Sequence, residues 1–159
     1  MAGLRIGIWP CNKWKPTTRL LTRPQVLTLH YFWENKWRNT QGAYTLPLLM
    51  AADELSIHPD ELVSDIQALQ EHNLIVYDFE YEAVVLRGYI SESDKYSERE
   101  GKGIAPDTVT GWTRAIPELE ESLPPKLFQA FIEEVCKAPL LIDALIAVGF
   151  DLAQYGVGT

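Results

Sequence analysis

A mainly α-helical fold with one small β hairpin is the class that this 159-residue sequence predicts. Three observations predict it. Apolar residues recur at helical spacing in several separate stretches, and prolines with helix-capping residues punctuate those stretches. Only Leu74-Ile75-Val76-Tyr77 and Ala83-Val84-Val85-Leu86 stand out as β-rich runs close enough to pair as a hairpin.

Along the chain, residues 4–9 alternate Leu and Ile with Arg and Gly, which fits a short strand ended by Pro10. Residues 12–21 form a basic, proline-containing connector. Thr22 then reads as a helix N-cap, with Gln25 placed to close a capping box and Pro24 in the first turn, where a missing N–H costs little. Val26, Leu27, Leu29, His30, Phe32, Trp33 and Trp37 give this first helix a broad apolar face. After the turn cluster Asn39-Thr40-Gln41-Gly42, an extended piece Ala43-Tyr44-Thr45-Leu46 leads to Pro47, which opens a short second helix. Leu48, Leu49, Ala52 and Leu55 of that helix are expected to face the core.

Ser56-Ile57-His58-Pro59 breaks the helical pattern, with His58 as N-cap of a third helix reaching Glu71. Leu62, Ile66 and Leu69 form its buried stripe, and Asn73 is placed to adopt a left-handed C-cap conformation. The hairpin follows, with the acidic and aromatic tip Asp78-Phe79-Glu80-Tyr81-Glu82. Helix, turn, helix and hairpin in that order over residues 46–90 is the order of a winged helix-turn-helix module. The expected organisation is a winged-helix domain over residues 1–90, a polar connector over 91–105, and a helical tail over 106–159. In the tail, residues 107–116 suggest a short helix ending before Pro117, and a better one spans about 126–136. Residues 140–154 are too apolar to remain exposed. The tail must therefore cover the first domain or a partner chain, a second copy of the protein included.

Hydrophobic residues make up 47% and charged residues 23%, a balance that argues for a folded core rather than disorder. No apolar run approaches the roughly 20 residues needed to cross a bilayer, and the first eight residues lack a secretory signal's apolar stretch. The expected location is the cytoplasm. The net charge of −8 is unevenly spread: residues 1–38 hold seven Lys or Arg against Glu34 alone, and the rest hold seven against twenty-one Asp or Glu. Such a split makes a dipolar molecule whose basic end suits phosphate and whose acidic end suits a different partner.

Cys11 and Cys136 belong to no Cys-x-x-Cys pair, and His30, His58 and His72 match no common metal spacing. Neither a disulfide nor a metal or other cofactor is expected. Catalysis is not expected either. Asp53-Glu54 and Glu133-Glu134 are adjacent on helices and point in different directions, and Gly101-Lys102-Gly103 lacks the rest of a phosphate loop.

Two surfaces remain as candidates for binding. Lys13, Trp14, Lys15, Arg19 and Arg23, with Lys36 and Arg38 near the end of the first helix, can contact phosphate, and an exposed Trp can stack on a base. The third helix offers Asp60, Glu61, Ser64, Asp65, Gln67 and Glu71, with no Lys or Arg. That set opposes phosphate but complements a basic protein surface.

The words Ile8-Trp9-Pro10, Lys13-Trp14, Gly42-Ala43-Tyr44-Thr45-Leu46-Pro47, Ala51-Ala52-Asp53-Glu54-Leu55, Leu74-Ile75-Val76-Tyr77-Asp78 and Leu86-Arg87-Gly88-Tyr89-Ile90 resemble the amino-terminal winged-helix domain of phage and prophage replication proteins, of the initiator and helicase-loader type. Lys102-Gly103-Ile104 and Ala115-Ile116-Pro117-Glu118 extend the resemblance, which spans roughly residues 6–135. It implies origin-DNA binding or helicase recruitment without enzymatic activity, in the host cytoplasm if the protein is phage-encoded. The acidic third helix leaves a different expectation open, a phage-encoded inhibitor that binds a host nucleic-acid-processing or defence complex.

Overall fold

The computed structural model describes residues 18–157. Among them α1 (Arg23–Glu34), β1 (Ala43–Thr45), α2 (Leu48–Leu55), α3 (Pro59–Glu71), β2 (Ile75–Asp78), β3 (Ala83–Leu86), α4 (Tyr89–Arg99), α5 (Pro106–Ser122), α6 (Pro125–Val135) and α7 (Pro139–Ala147) follow in order, with a 3-10 turn at Ala153–Tyr155. The strand expected at residues 4–9 lies outside the described residues. None of the described helices is long and apolar enough to cross a membrane.

Local chemistry sets the helix starts. Thr22 Oγ1 accepts from Gln25 N–H at 3.3 Å and Gln25 Oε1 accepts from Thr22 N–H at 2.9 Å, closing the capping box at α1. His58 Nδ1 accepts from Asp60 N–H at 3.1 Å at the start of α3. Asn73 takes the left-handed conformation, φ +57°, after α3. At α2 the cap comes from across the sheet: Glu82 Oε1 accepts from Leu48 N–H at 3.0 Å, and the Glu82 backbone carbonyl accepts from Leu46 N–H at 2.7 Å.

The three strands form one antiparallel sheet in the order β1-β3-β2. Val84 lies between Tyr44 and Tyr77, and Val85 between Ala43 and Val76. Because successive strand side chains alternate between faces, this register sorts them into two sets. Tyr44, Ile75, Tyr77, Val84 and Leu86 pack with Leu29, Phe32 and Trp33 of α1 and with Leu62, Ile66 and Leu69 of α3. Ala43, Val76, Ala83 and Val85 pack instead with Ile90, Trp112, Ile116, Leu127, Phe131 and Leu145 of α4 to α7. The sheet is thus the middle of three layers, and the tail covers its second face.

Three expectations need correcting. Residues 91–105 are no simple connector, since α4 occupies most of them. It turns Ser91, Glu92 and Asp94 inward and leaves Tyr96 45% exposed. The polarity is accounted for by bonding: Asp94 accepts from Leu140 and Leu141 N–H, at 3.2 and 2.9 Å, and so supplies the N-terminus of α7 with its acceptors. The helix ending before Pro117 instead runs through it to Ser122, because Ile116 and Leu119 on either side are both held in the core. In the tail, expected to be helical over 106–159, the last apolar stretch is helical only from Pro139 to Ala147, and Gly149 is left-handed, φ +82°.

Two devices join the layers. Gly42 is left-handed, φ +66°, and a Cβ there would stand 2.9 Å from the Tyr89 ring, so β1 approaches α4 at a distance open only to glycine. Glu134 is fully buried on α6; it accepts from Gly88 N–H at 2.6 Å, from Arg87 Nη1 at 3.1 Å and from Lys137 Nζ at 2.8 Å. Glu134→Ala leaves the Gly88 amide with no acceptor and Arg87 with the exposed Glu133 alone at 3.1 Å, so it is expected to lower unfolding free energy by about 3 kcal/mol in denaturant titration. The exposed neighbour Glu133→Ala is expected to cost less than about 1 kcal/mol.

Candidate interaction surface

The interaction candidates are fixed by how α1 and α3 cross beneath the sheet. Leu62, Ile66 and Leu69 bury one side of α3, which leaves Asp60, Glu61, Ser64, Gln67 and Glu71 exposed on the other. Asp65 is placed differently from these. It is only 9% exposed and accepts from Thr28 Oγ1 at 2.8 Å, so it ties α3 to α1 at the bottom of the crossing.

A groove of about 710 Å³ runs along this crossing. Leu27 of α1, Leu55 at the end of α2 and Ile57 of the turn that follows supply its apolar wall, while Asp60, Glu61, Ser64 and Asp65 supply the polar one. Leu27 is 65% exposed although the sequence places it on the apolar face of α1. The buried stripe is in fact Thr28, Leu29, Phe32 and Trp33. Leu49, also expected in the core, is 70% exposed, whereas Ala52 is buried as expected and Ala51 is buried beside it. The hairpin tip adds exposed Phe79, Glu80 and Tyr81. Asp78 Oδ1 accepts from the N–H groups of Glu80 and Tyr81, each at 2.9 Å, and so shapes the turn.

The basic set is not one patch. Lys13, Trp14 and Lys15 lie outside the described residues. Arg19 and Arg23 are exposed at the start of α1, and Lys36 and Arg38 follow its end. Twelve residues of helix put these ends about 18 Å apart. Arg38 has an internal role: its side chain is 13% exposed, it donates to the Tyr89 hydroxyl, and it lies 4.0 Å from Glu34. Lys36 stays outside, with Nζ 4.9 Å from the centroid of the Trp37 ring. Trp33 is core, 1% exposed and 5.0 Å from Tyr89 between ring centroids.

Two features escaped the sequence reading. Glu54 accepts from Trp37 Nε1 at 2.7 Å, which fixes the half-exposed indole against α2. A second cavity, about 290 Å³, opens between α1, α4 and α5, where Trp33, Tyr89 and Trp112 meet Arg38, Glu92 and Asp94. The inward carboxylates of α4 were hidden by its low hydrophobicity; only the spacing of Ile90 and Asp94 hinted at a packed helix face. Among the described residues, no group of three or more His, Cys, Asp or Glu side chains is placed to hold a metal ion. No protein family, curated protein or solved structure matches this chain.

Burial, reinforced by the Glu54 carboxylate, pushes the Tyr31 phenol from its ordinary value of 10 up to about 12. Burial also raises Tyr44 and Tyr77. The folded chain favours the neutral phenol, so the stability Tyr31 contributes is intact below pH 10 and is lost as pH rises towards about 12. In a phenolate absorbance titration, subtracting Tyr31→Phe from the native chain should isolate a late-ionising group. Glu54→Gln should move that group part of the way back towards pH 10.

Proposed function

We propose that this chain is a non-enzymatic winged helix-turn-helix protein that works as a replication accessory, engaging a basic protein partner through the outer side of α3. The element order α1-β1-α2-α3-β2-β3 and the strand order β1-β3-β2 support the winged-helix reading, with the β2–β3 hairpin as the wing. The resemblance to phage and prophage replication proteins supports helicase recruitment as the kind of task.

One observation carries the choice of partner. The exposed side chains of α3 include Asp60, Glu61 and Glu71 and no cation, and the wing tip beside the sheet brings Glu80. A helix inserted into the major groove lies between two rows of phosphates, where these carboxylates are repelled. Against a basic protein surface the same charges speed encounter and set orientation. A phage inhibitor of a host nucleic-acid-processing or defence complex would use the same face, and the identity of the captured partner separates the two tasks.

DNA contact is a second reading, favoured by the exposure of Arg19 and Arg23. It places the nucleic acid beside the start of α1, together with Lys13, Trp14 and Lys15, and not on α3. Lys36 extends that reading to the far end of α1.

The test is a pull-down from host lysate with and without nuclease, using the native chain and the triple variant Asp60→Lys, Glu61→Lys, Glu71→Lys. The expected result is a protein partner retained after nuclease and lost from the triple variant. Capture that vanishes with nuclease, or that disappears when Lys13, Lys15, Arg19 and Arg23 are replaced by Ala while the triple reversal has no effect, assigns the function to DNA.

A further inference from the structure

We propose that the groove between α1 and the first two turns of α3 is the seat for a basic segment of a partner protein, anchored by an apolar side chain against Leu27, Leu55 and Ile57 and by a guanidinium or ammonium group at Asp65. The inference rests on the reading of α3 as a protein-binding face and narrows it to one end of that helix.

The groove is built for a ligand that is both apolar and cationic. Leu27 is 65% exposed on a helix whose neighbouring Thr28 and Leu29 are almost completely buried, so it stands out as an apolar side chain with no core to fill. It shares the groove with half-buried Leu55 and Ile57. Facing them are three carboxylates at two depths. Asp60 and Glu61 are exposed on the rim. Asp65 lies deeper, 9% exposed, with Oδ2 occupied by the Thr28 hydroxyl at 2.8 Å and its Oδ1 in no hydrogen bond among the described residues.

Among the described residues, no Lys or Arg lines this groove. A side chain such as Arg can therefore reach the carboxylate of Asp65 with its charged head while its methylenes lie on Leu27 and Ile57. An anionic segment would place its charge against Asp60, Glu61 and Asp65, and a neutral apolar one would leave Asp65 without a counter-charge as it is covered. Basic and apolar together is the chemistry that satisfies both walls.

The experiment uses the full chain and a short fluorescent amphipathic helix of Arg and Leu, with two controls in which Glu replaces Arg or Ser replaces Leu. The Arg and Leu peptide is expected to bind best and to weaken as salt rises. Leu27→Ser, at an exposed position that leaves the fold untouched, should weaken binding about tenfold. Asp65→Asn, which can still accept from Thr28, should weaken it by a similar factor, and methyl shifts of Leu27, Leu55 and Ile57 should follow the titration. Equal binding of the Glu control, or full affinity in both Leu27→Ser and Asp65→Asn, overturns the groove assignment. Glu71 lies about 16 Å along α3 from Asp60. If Glu71→Lys weakens binding while the groove variants do not, the groove is wrong and the acidic face still binds. If no variant of α3 matters, both readings fall.

Discussion

All four residues of β3 are buried, and no other constraint reaches as many parts of the molecule. A strand ordinarily buries alternate residues; here both alternations are covered, so helices must lie on both faces of the sheet. The sorting is strict. Val84 and Leu86 belong to the core of α1 and α3, and Ala83 and Val85 to the core of α4 to α7. A slip of one residue between β3 and its neighbours would send Tyr44 and Tyr77 into the layer of Trp112 and Phe131. Their hydroxyls would then lose their acceptors, the carbonyls of Phe32 and Leu46. The central strand therefore fixes the position of α3, and with it which side of α3 meets the outside.

The tail follows from the same constraint. Ala43, Ala83 and Val85 are small, which lets α6 come close to the sheet, and Phe131 then stacks on Trp112 at 6.1 Å between ring centroids. Leu141 and Leu145 are consumed in this core, so most of the apolar surface of the tail is satisfied within the chain. Ile146 and Val148 are the large apolar groups at the end of α7 that remain more than half exposed.

What was legible in the sequence was local. Thr22 with Gln25, His58 before Pro59, and Asn73 after α3 are signals whose partners lie within four residues, and the structure uses each of them as a cap. The stripe of Leu62, Ile66 and Leu69 was legible because three independent apolar residues agree on one direction. The failures share a different cause. Leu27 and Leu49 are apolar but turned outward, and the smaller Thr28, Ala51 and Ala52 take buried positions beside them. Asp94 and Glu134 are charged but turned inward because atoms more than forty residues away help to complete them, the amides of Leu140 and Leu141 for Asp94 and Arg87 with the Gly88 amide for Glu134. Composition reports the chemistry of a side chain, and only the packed layers supply its partner. Asp65 belongs with this group: the sequence places it with the outward acidic residues, and the hydroxyl of Thr28 explains its inward position.

The acidity of α3 can be separated into a part that the helix itself explains and a part that it does not. Asp60 and Glu61 sit in the first turn, where carboxylates are favoured by the unpaired N–H groups and the positive end of the helix dipole. Helix stability alone is a sufficient reason for them. It gives no reason for Glu71, which stands in the last turn, where the dipole disfavours a negative charge and where no basic residue is present to offset it. Ser64 and Gln67 continue the exposed row between these ends without a single cation. A helix selected only to hold its own shape would carry acidic residues at its start and basic ones at its end. A helix selected to lie in DNA would carry cations along its length. The row from Asp60 to Glu71 fits neither requirement, and a basic protein surface opposite it is the environment in which every one of these charges is favourable.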